Sequence, residues 1–596
     1  MFYSRTDIVA CFLLFLLGCF VFTQELGTHG LEYRDDEIFY FQSTQEMLET
    51  GNVLSPTYFG EDRFQKPILY YWLVLASYKV FGVNWFAARF VAVFFASLTV
   101  CLTWLIGREL FNRGVGTLSA LILMTVPLFF RHAKNAVPDI VLNFFIVFAL
   151  YCAIQFFKEE NRDPVQNDQR GSFELTYRIL FFISCALGFM IKGFIAIIVP
   201  FVTVLIYSFL TRQTKTLAHM RFGRGTLIML AIILPWFCYM IVVHGQTYLD
   251  YMLVDETKNR LISEGNGNKI LSILTTFMDH VLFYLNVMGS YFSPWCIFLI
   301  PAIPLALMTT KNGSPRVKEG IKWMVIWFFV VFCFFSMIYF SISHYILILT
   351  TPFAVLISCF FLGVYGCRIS VGKVITSLQK HVTISIFIIG VVAFSFLFVF
   401  LAGGAKGWLI IFLLSCVWIV CGLYRTSLTM AAPLGLALLI LFVFAQSSLL
   451  GKAGLTSHAI LQNFAATVNQ DINRNPRERL TVAVGSHDIH EKEFQVYFDQ
   501  RVEKVANSVL EETGVKLSKV FDSEDKVYCL MTKKDFDYFR KGVLPDSIEV
   551  LQEDYIFRRR LKIDTGFFMA MLRLDQKTVA HYFKEKLVLV RKGRDV

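Results

Sequence analysis

Asp36, Lys66, Asp139, Lys192 and Arg260 are charged residues that an otherwise apolar chain keeps beside long hydrophobic runs. Ionisable side chains at the edge of hydrocarbon are costly, so they are functional candidates by default. A carboxylate there can take a proton from a reacting hydroxyl, and fixed cations can hold a phosphate and the charge that develops on it. Each position also has a blander reading. Arg34-Asp35-Asp36-Glu37 suits the start of a helix, where acidic residues complement the helix dipole. Lys66 precedes Pro67 and an aromatic stretch through Tyr70, Tyr71 and Trp72, as a lysine snorkelling to the interface would. Arg131 and Lys134 stand with Asp139 before another apolar run, and Lys192-Gly193 fills a turn that should prefer neutral residues. His244, Asp255, Glu256, Lys258 and Arg260 lie in one polar stretch, and His344-Tyr345 opens a late apolar run.

These residues need elements to hold them, and composition says of what kind. Of 596 residues 56% are hydrophobic and 17% charged, with 62 Phe. Soluble domains average about 45–50% apolar and about 25% charged. Apolar runs recur from Ile8 to Leu450 and then stop, which predicts a polytopic α-helical membrane protein followed by a soluble domain. Polar low complexity and heptads are absent, excluding a disordered chain or a coiled coil. Of the 13 Cys, only Cys529 falls in the polar tail, and no disulfide framework or metal-binding pair can be drawn.

Spans are expected at 8–23, 86–107, 115–130, 138–157, 179–191, 193–210, 226–243, 291–308, 322–341, 345–365, 383–401, 407–423 and 428–450. That makes about 13 transmembrane helices, several borrowing flanking residues to reach the ~20 that a bilayer requires. The run from Ile8 reads as an uncleaved first span, because no small-x-small site follows it. Residues 67–81 read as a partly embedded juxtamembrane helix. Lys and Arg concentrate in one alternate set of loops, among them Arg108, Arg113, Lys158, Arg212, Arg316 and Arg368. The positive-inside rule puts that set in the cytoplasm. The juxtamembrane loops 24–85 and 244–290 then face outward, as does the tail 451–596, so 1–450 is read as the transmembrane catalytic domain.

In the tail, Leu480-Thr-Val-Ala-Val, Lys526-Val-Tyr-Cys-Leu-Met and Lys586-Leu-Val-Leu-Val read as strands, and 492–500, 503–513 and 533–541 as amphipathic helices. This predicts a small α/β domain. It has no glycine-rich nucleotide loop. Phe567 to Leu572, flanked by arginines, suits either a headgroup-lying helix or an ordinary core helix. The net charge of +11 is accounted for by the cytoplasmic loops, so no nucleic-acid partner is inferred.

Motifs in order along the chain carry a resemblance. They are Asp36-Glu37-x-x-Tyr40, Glu46-Met47-Leu48-x-x-Gly51, Lys66-Pro67-x-x-Tyr70-x-Trp72, Pro138-Asp139-x-x-Leu142, Gly188-Phe189-x-x-Lys192-Gly193, Leu234-Pro235-Trp236, Glu256-x-x-x-Arg260, Ser293-Pro294-Trp295 and Ser343-His344-Tyr345. Collinear over the whole membrane part, and more loosely over the tail through Phe494, Tyr497, Phe498 and the last strand, they resemble bacterial GT-C glycosyltransferases of the lipid A aminoarabinose transferase family, related to protein O-mannosyltransferases. The resemblance implies the GT-C fold with an outward C-terminal domain. It also implies transfer of a hexosyl or pentosyl group from a polyprenyl-phosphate sugar donor to lipid A, lipopolysaccharide or another glycolipid. Transfer to protein is the alternative within the family. The reaction is placed at the periplasmic face of the bacterial inner membrane.

Carried over residue by residue, the resemblance makes Asp36 the principal catalytic carboxylate, with Glu37 and Asp139 beside it. Lys66, Lys192 and Arg260 become cations for the donor phosphate. Tyr40, Tyr70, Trp72, Glu256, His344 and Tyr345 become substrate-lining residues. The chain departs from the family at Gln65, where a Glu is usual, and lacks the usual His near 267–270. In the family those two can contribute to a metal site. No metal site and no required cofactor are therefore expected here.

A transporter or flippase for an amphiphile is the competing class. It would be expected to show internal repeats and charges at span centres, whereas these charges lie near one face. A scaffold whose tail is the working part would leave the Asp36, Lys66 and Lys192 pattern unexplained.

Overall fold

The computed structural model describes residues 4–24, 26–27, 34–160, 170–251, 269–312, 314–338, 341–364, 457–474, 480–486, 502–505, 510–522, 526–545, 547–557 and 584–592. Contacts divide the chain into two units, Met1–Leu26 with Ser43–Ala445, and Gly27–Gln42 with Gln446–Val596.

The first unit is helical. It holds α1 (Arg5–Thr23), the second half of α2 (Arg34–Thr50), a small hairpin of β1 (Thr57–Tyr58) and β2 (Glu61–Asp62), α3 (Leu69–Phe81) and α4 (Trp85–Leu110). There follow α5 (Arg113–Thr125), α6 (Pro127–His132), α7 (Asp139–Glu160), α8 (Arg170–Lys192), α9 (Ile195–Thr211), α10 (Thr214–His219) and α11 (Phe222–Asp250). The unit continues with α12 (Lys269–Tyr291), a 3₁₀ turn Trp295–Phe298, α13 (Leu299–Asn312), α14 (Pro315–Met337), a second 3₁₀ turn Ser343–Leu349 and α15 (Thr350–Phe361). Among the described residues seven helices are long and apolar enough to cross a membrane, or eight if one bent pair is a single span. The chain is a multi-pass membrane protein. The expected spans 383–401, 407–423 and 428–450 lie outside the described residues.

Three differences from the sequence reading have local causes. The run 115–130 is two helices, because Val126 adopts φ −72°, ψ 117° before Pro127, and a residue preceding proline is pushed out of the helical region. The stretch 244–290 is mostly helix: α11 runs to Asp250 and α12 starts at Lys269. The run 291–308 contains a sharp bend, 119° between Thr276–Tyr291 and Trp295–Thr310, at Ser293-Pro294, where the proline has no N–H to continue the ladder. The juxtamembrane helix at 67–81 is α3, at 13 residues too short to span.

Caps set the helix starts. Ser4 and Asp7 form a capping box on α1, and Asn84 and Asn112 accept from the amides of Ala87 (2.9 Å) and Val115 (3.0 Å) to start α4 and α5. Gly107 and Gly116 let α4 and α5 touch backbone to backbone. A Cβ on Gly116 would lie 2.6 Å from the Trp104 carbonyl oxygen.

The Lys/Arg-rich helix ends form an ion-pair network. Asp7 takes Arg108 at 2.8 Å and Arg113 at 3.0 Å, while Glu109 takes Arg108 at 2.9 Å and also Lys158. Arg316 donates to the Glu109 carbonyl at 3.1 Å. Lys158 lies near the end of α7 and Asp139 begins it, so this network and the site described below sit about 30 Å apart at opposite ends of one helix.

The second unit carries the first half of α2 and an α/β fold. Its elements are α16 (Ser457–Arg474), β3 (Leu480–Val484), β4 (Glu503–Lys504), α17 (Leu510–Phe521), β5 (Lys526–Thr532), α18 (Lys533–Phe539), β6 (Ile548–Phe557) and β7 (Lys584–Lys592). Strand order is β4-β3-β5-β7-β6, parallel across β4-β3-β5 and antiparallel across β5-β7-β6. Side chains alternate across the sheet. Val482, Val484, Tyr528, Leu530, Leu587 and Leu589 pack on Leu461, Phe464 and Val468 of α16. Ala483, Val527, Cys529, Met531, Val588 and Val590 pack on Leu517, Phe521, Phe536 and Phe539 of α17 and α18.

All three strands expected in the tail are present, as is the helix at 533. The helix expected at 503–513 is instead a two-residue strand at Glu503–Lys504 and a helix from Leu510. Strand β4 pairs in parallel with β3, and that tertiary pairing outweighs the local helical pattern. The expected helix 492–500, with Phe494, Tyr497 and Phe498, and the patch Phe567–Leu572 lie outside the described residues.

Candidate active site

The residues brought together are Asp139, Lys192, His344 and Tyr345, with His132 behind them. Asp139 is the first residue of α7 and Lys192 the last of α8. The two helices are antiparallel neighbours, so a helix N-terminus carrying an acid meets a C-terminus carrying a base, each favoured by its helix dipole. Lys192 Nζ donates to Asp139 Oδ1 at 2.5 Å, and both side chains are about nine-tenths buried. Gly193, at φ +83°, then turns the chain sharply into α9. This explains why a lysine tolerates a tight turn between apolar runs: its partner comes from another helix.

His344 sits on the 3₁₀ turn after α14, with Nε2 3.6 Å from Asp139 Oδ1. The Lys192 ammonium lies 5.8 Å from the Tyr345 ring centroid, and that ring stacks on Phe335 at 5.0 Å. The His132 ring centroid is 5.8 Å from that of His344. His132 is fully buried and donates from Nδ1 to the Leu128 carbonyl at 2.8 Å, which fixes its tautomer. Lys66 lies within electrostatic reach of His344. One turn along α7 from Asp139, Asn143 is fully buried, and neither polar atom of its amide has a hydrogen-bond partner among the described residues. A buried amide ordinarily finds a partner, so Asn143 joins the polar candidates of this helix end.

The segment leading to Lys66 is tied down by hydrogen bonds. Glu46 accepts from Thr57 Oγ1 (2.7 Å) and the amides of Phe59 (2.7 Å) and Gly60 (3.3 Å), capping the β1–β2 turn in which both central residues have positive φ. The Trp72 indole donates to the Val53 carbonyl at 2.7 Å, and Trp236 to that of Leu54 at 2.9 Å. Trp72 thus holds a loop with its polar atom. Tyr70 is fully buried in α3, beside Tyr71, which pairs with Arg63 Nε at 3.1 Å.

Asp36, Glu37 and Tyr40 lie on the first half of α2, within the second unit. Asp36 is exposed in the first turn; Glu37 and Tyr40 are buried. Glu256 and Arg260 lie outside the described residues. Among those residues no group of three His, Cys, Asp or Glu could hold a metal ion. Sequence reasoning missed His132, Asn143, and the Ser55, Asp62 and His244 contacts treated below. A histidine and an amide bordering or interrupting apolar runs are faint signals, drowned by the runs themselves.

Residues 11–249 match the family described as dolichyl-phosphate-mannose-protein mannosyltransferase. An undecaprenyl phosphate-alpha-4-amino-4-deoxy-L-arabinose arabinosyl transferase 2 of Pseudomonas fluorescens (strain Pf0-1) is 29% identical over 351 residues, 57% of this chain and 58% of that protein. A protein of Aquifex aeolicus (strain VF5), described as uncharacterized, is 27% identical over 338 residues, 56% of this chain and 61% of its own length. The chain thus matches about three fifths of the length of these relatives. The crystal structure of ArnT from Cupriavidus metallidurans bound to undecaprenyl phosphate superposes with a TM-score of 0.67, at 16% identity, over 99% of both chains. The fold is the one seen in that structure: a bundle of membrane helices followed by a C-terminal domain with strands.

Proposed function

We propose that this chain is an integral-membrane glycosyltransferase. It moves a sugar from a polyprenyl-phosphate donor to lipid A, lipopolysaccharide or another glycolipid at the periplasmic face of a bacterial inner membrane. The observation that carries the reading is the Asp139–Lys192–His344 cluster, with Lys66 in reach, built from helix ends on a GT-C fold. The names of the relatives support the donor class, and the acceptor class rests on the motif resemblance. The family matched over 11–249 keeps transfer to protein as the second reading.

Lys66 and Lys192 hold the donor phosphate, together with Arg260. The leaving group is a phosphate, and fixed positive charge stabilises what develops on it as the glycosidic bond breaks. Asp139 keeps Lys192 oriented through the 2.5 Å contact, so the ammonium is placed before the donor arrives. Asp36 takes the proton of the acceptor hydroxyl as the new bond forms. Tyr345, stacked on Phe335, walls the apolar side of the site. The reaction needs no metal, consistent with Gln65 in place of a carboxylate.

The test is mass spectrometry of envelope glycolipids and glycoproteins from cells with and without the chain. A glycolipid heavier by one sugar unit only in its presence is expected. The same shift on a protein would move the reading to the second acceptor class, and no shift in either would overturn it.

A further inference from the structure

Ser55, His244 and Asp62 form a polar chain, a hydrogen bond from Ser55 to His244 followed by an ion-pair contact from His244 to Asp62. Ser55 Oγ lies 2.7 Å from His244 Nε2, and His244 Nδ1 lies 3.2 Å from Asp62 Oδ2. The connectivity is that of a nucleophile relay, but the surroundings are wrong for one. Ser55 is 4% exposed, and the amides of Leu54 and Ser55 are both spent on Asn52 Oδ1, at 3.3 and 3.2 Å, so neither can stabilise an oxyanion.

What the chain does is join two elements. Ser55 lies two residues before the β1–β2 hairpin and Asp62 is its last residue. His244 sits on α11 just before Gly245, whose φ of 56° and ψ of −133° break the helix. The Phe64 ring packs edge-on against the His244 ring at 4.9 Å and against Tyr248 at 5.4 Å. Phe64 is two residues before Lys66. The anchor therefore fixes the segment that delivers Lys66, at the point where α11 bends.

We propose that His244 is a positioning residue for Lys66: through Ser55, Asp62 and Phe64 it holds the 51–66 segment so that the Lys66 ammonium is preset for the donor phosphate. This rests on the phosphate-binding role given to Lys66 above. A side chain that acts through another loses its effect once the other is removed.

The test uses the purified full chain and two readouts: binding of undecaprenyl phosphate, and KM against kcat for the polyprenyl-phosphate sugar. His244→Phe keeps a ring against Phe64 and removes both the hydrogen bond to Ser55 and the ion-pair contact with Asp62. It should weaken undecaprenyl phosphate binding and raise the donor KM about 10-fold, with kcat changed less than about 2-fold. Lys66→Ala should weaken binding at least as much, and the double variant should be no weaker than Lys66→Ala alone. Ser55→Ala and Asp62→Asn should each reproduce part of the His244→Phe effect. His244→Gln, which keeps a donor toward Asp62, should recover part of it. Multiplying effects in the double variant, or a loss of kcat with KM unchanged, would overturn the proposal. Unchanged binding in Lys66→Ala would overturn the phosphate role itself, whereas unchanged binding in His244→Phe alone would overturn only the positioning role.

Discussion

Lys192 and Asp139 meet at 2.5 Å although 53 residues separate them, because α8 ends where α7 begins. Each is about nine-tenths buried, so removing either leaves the other's charge uncompensated. Lys192→Ala is expected to lower kcat/KM for the polyprenyl-phosphate donor by roughly 100-fold and to destabilise the fold by about 3 kcal/mol. Kinetics and unfolding in detergent would check both parts. Wild-type donor use in this variant would remove Lys192 from the phosphate site.

Asp36 is exposed at the first turn of its helix, so changing its charge should leave the fold intact. Asp36→Asn is expected to unfold like the parent while transfer drops by roughly 10²–10⁴-fold, the span ascribed to a general base. Near-normal turnover would end its assigned role.

Asn143 offers a distinction between packing and chemistry. Its amide atoms lack hydrogen-bond partners among the described residues, so Asn143→Leu removes a desolvation cost at similar volume. The variant is expected to be at least as stable as the parent yet poorer in transfer. If stability rises and turnover is untouched, the amide has no part in the site.

Gly116 is a packing test. A Cβ there meets the Trp104 carbonyl oxygen at 2.6 Å and the Arg108 amide at 3.0 Å, and backbone cannot move aside cheaply. Gly116→Val should cost about 1–3 kcal/mol or more. An unchanged unfolding temperature would contradict the α4–α5 crossing.

In the C-terminal unit, the hydrogen bond from Lys586 across the β6–β7 pair holds the Glu553 carboxyl below its ordinary value of 4.5. A depressed carboxylate stabilises the fold above its unfolded value, and that contribution is lost as pH falls through the folded value. Protection factors of the β6 amides in the full chain, corrected for the intrinsic pH dependence of exchange, should therefore fall from about pH 5 downward, and Lys586→Met should flatten that response. The pair is exposed, so the effect is small. Burial pushes the Cys529 thiol in the same sheet up to about 12, so it should resist alkylation at neutral pH while the sheet is folded.

Composition and period alone determined that this chain crosses a membrane many times and ends in an α/β domain. Burial in lipid demands apolar runs, and a half-buried strand demands alternation, so both leave one-dimensional traces. The short list of costly charges was legible for the same reason: hydrocarbon makes them rare. What the sequence left open is partnership. Nothing local says that Lys192 meets Asp139, that His344 completes the group or that His244 ties Ser55 to Asp62. The partners are 53 to 205 residues apart. Helix packing and the break at Gly245 decide them. The same holds for Glu503–Lys504, where parallel pairing with β3 overrode a helical pattern. Sequence periodicity reports which face a residue turns to the core, and only the packed bundle determines which other residue waits there.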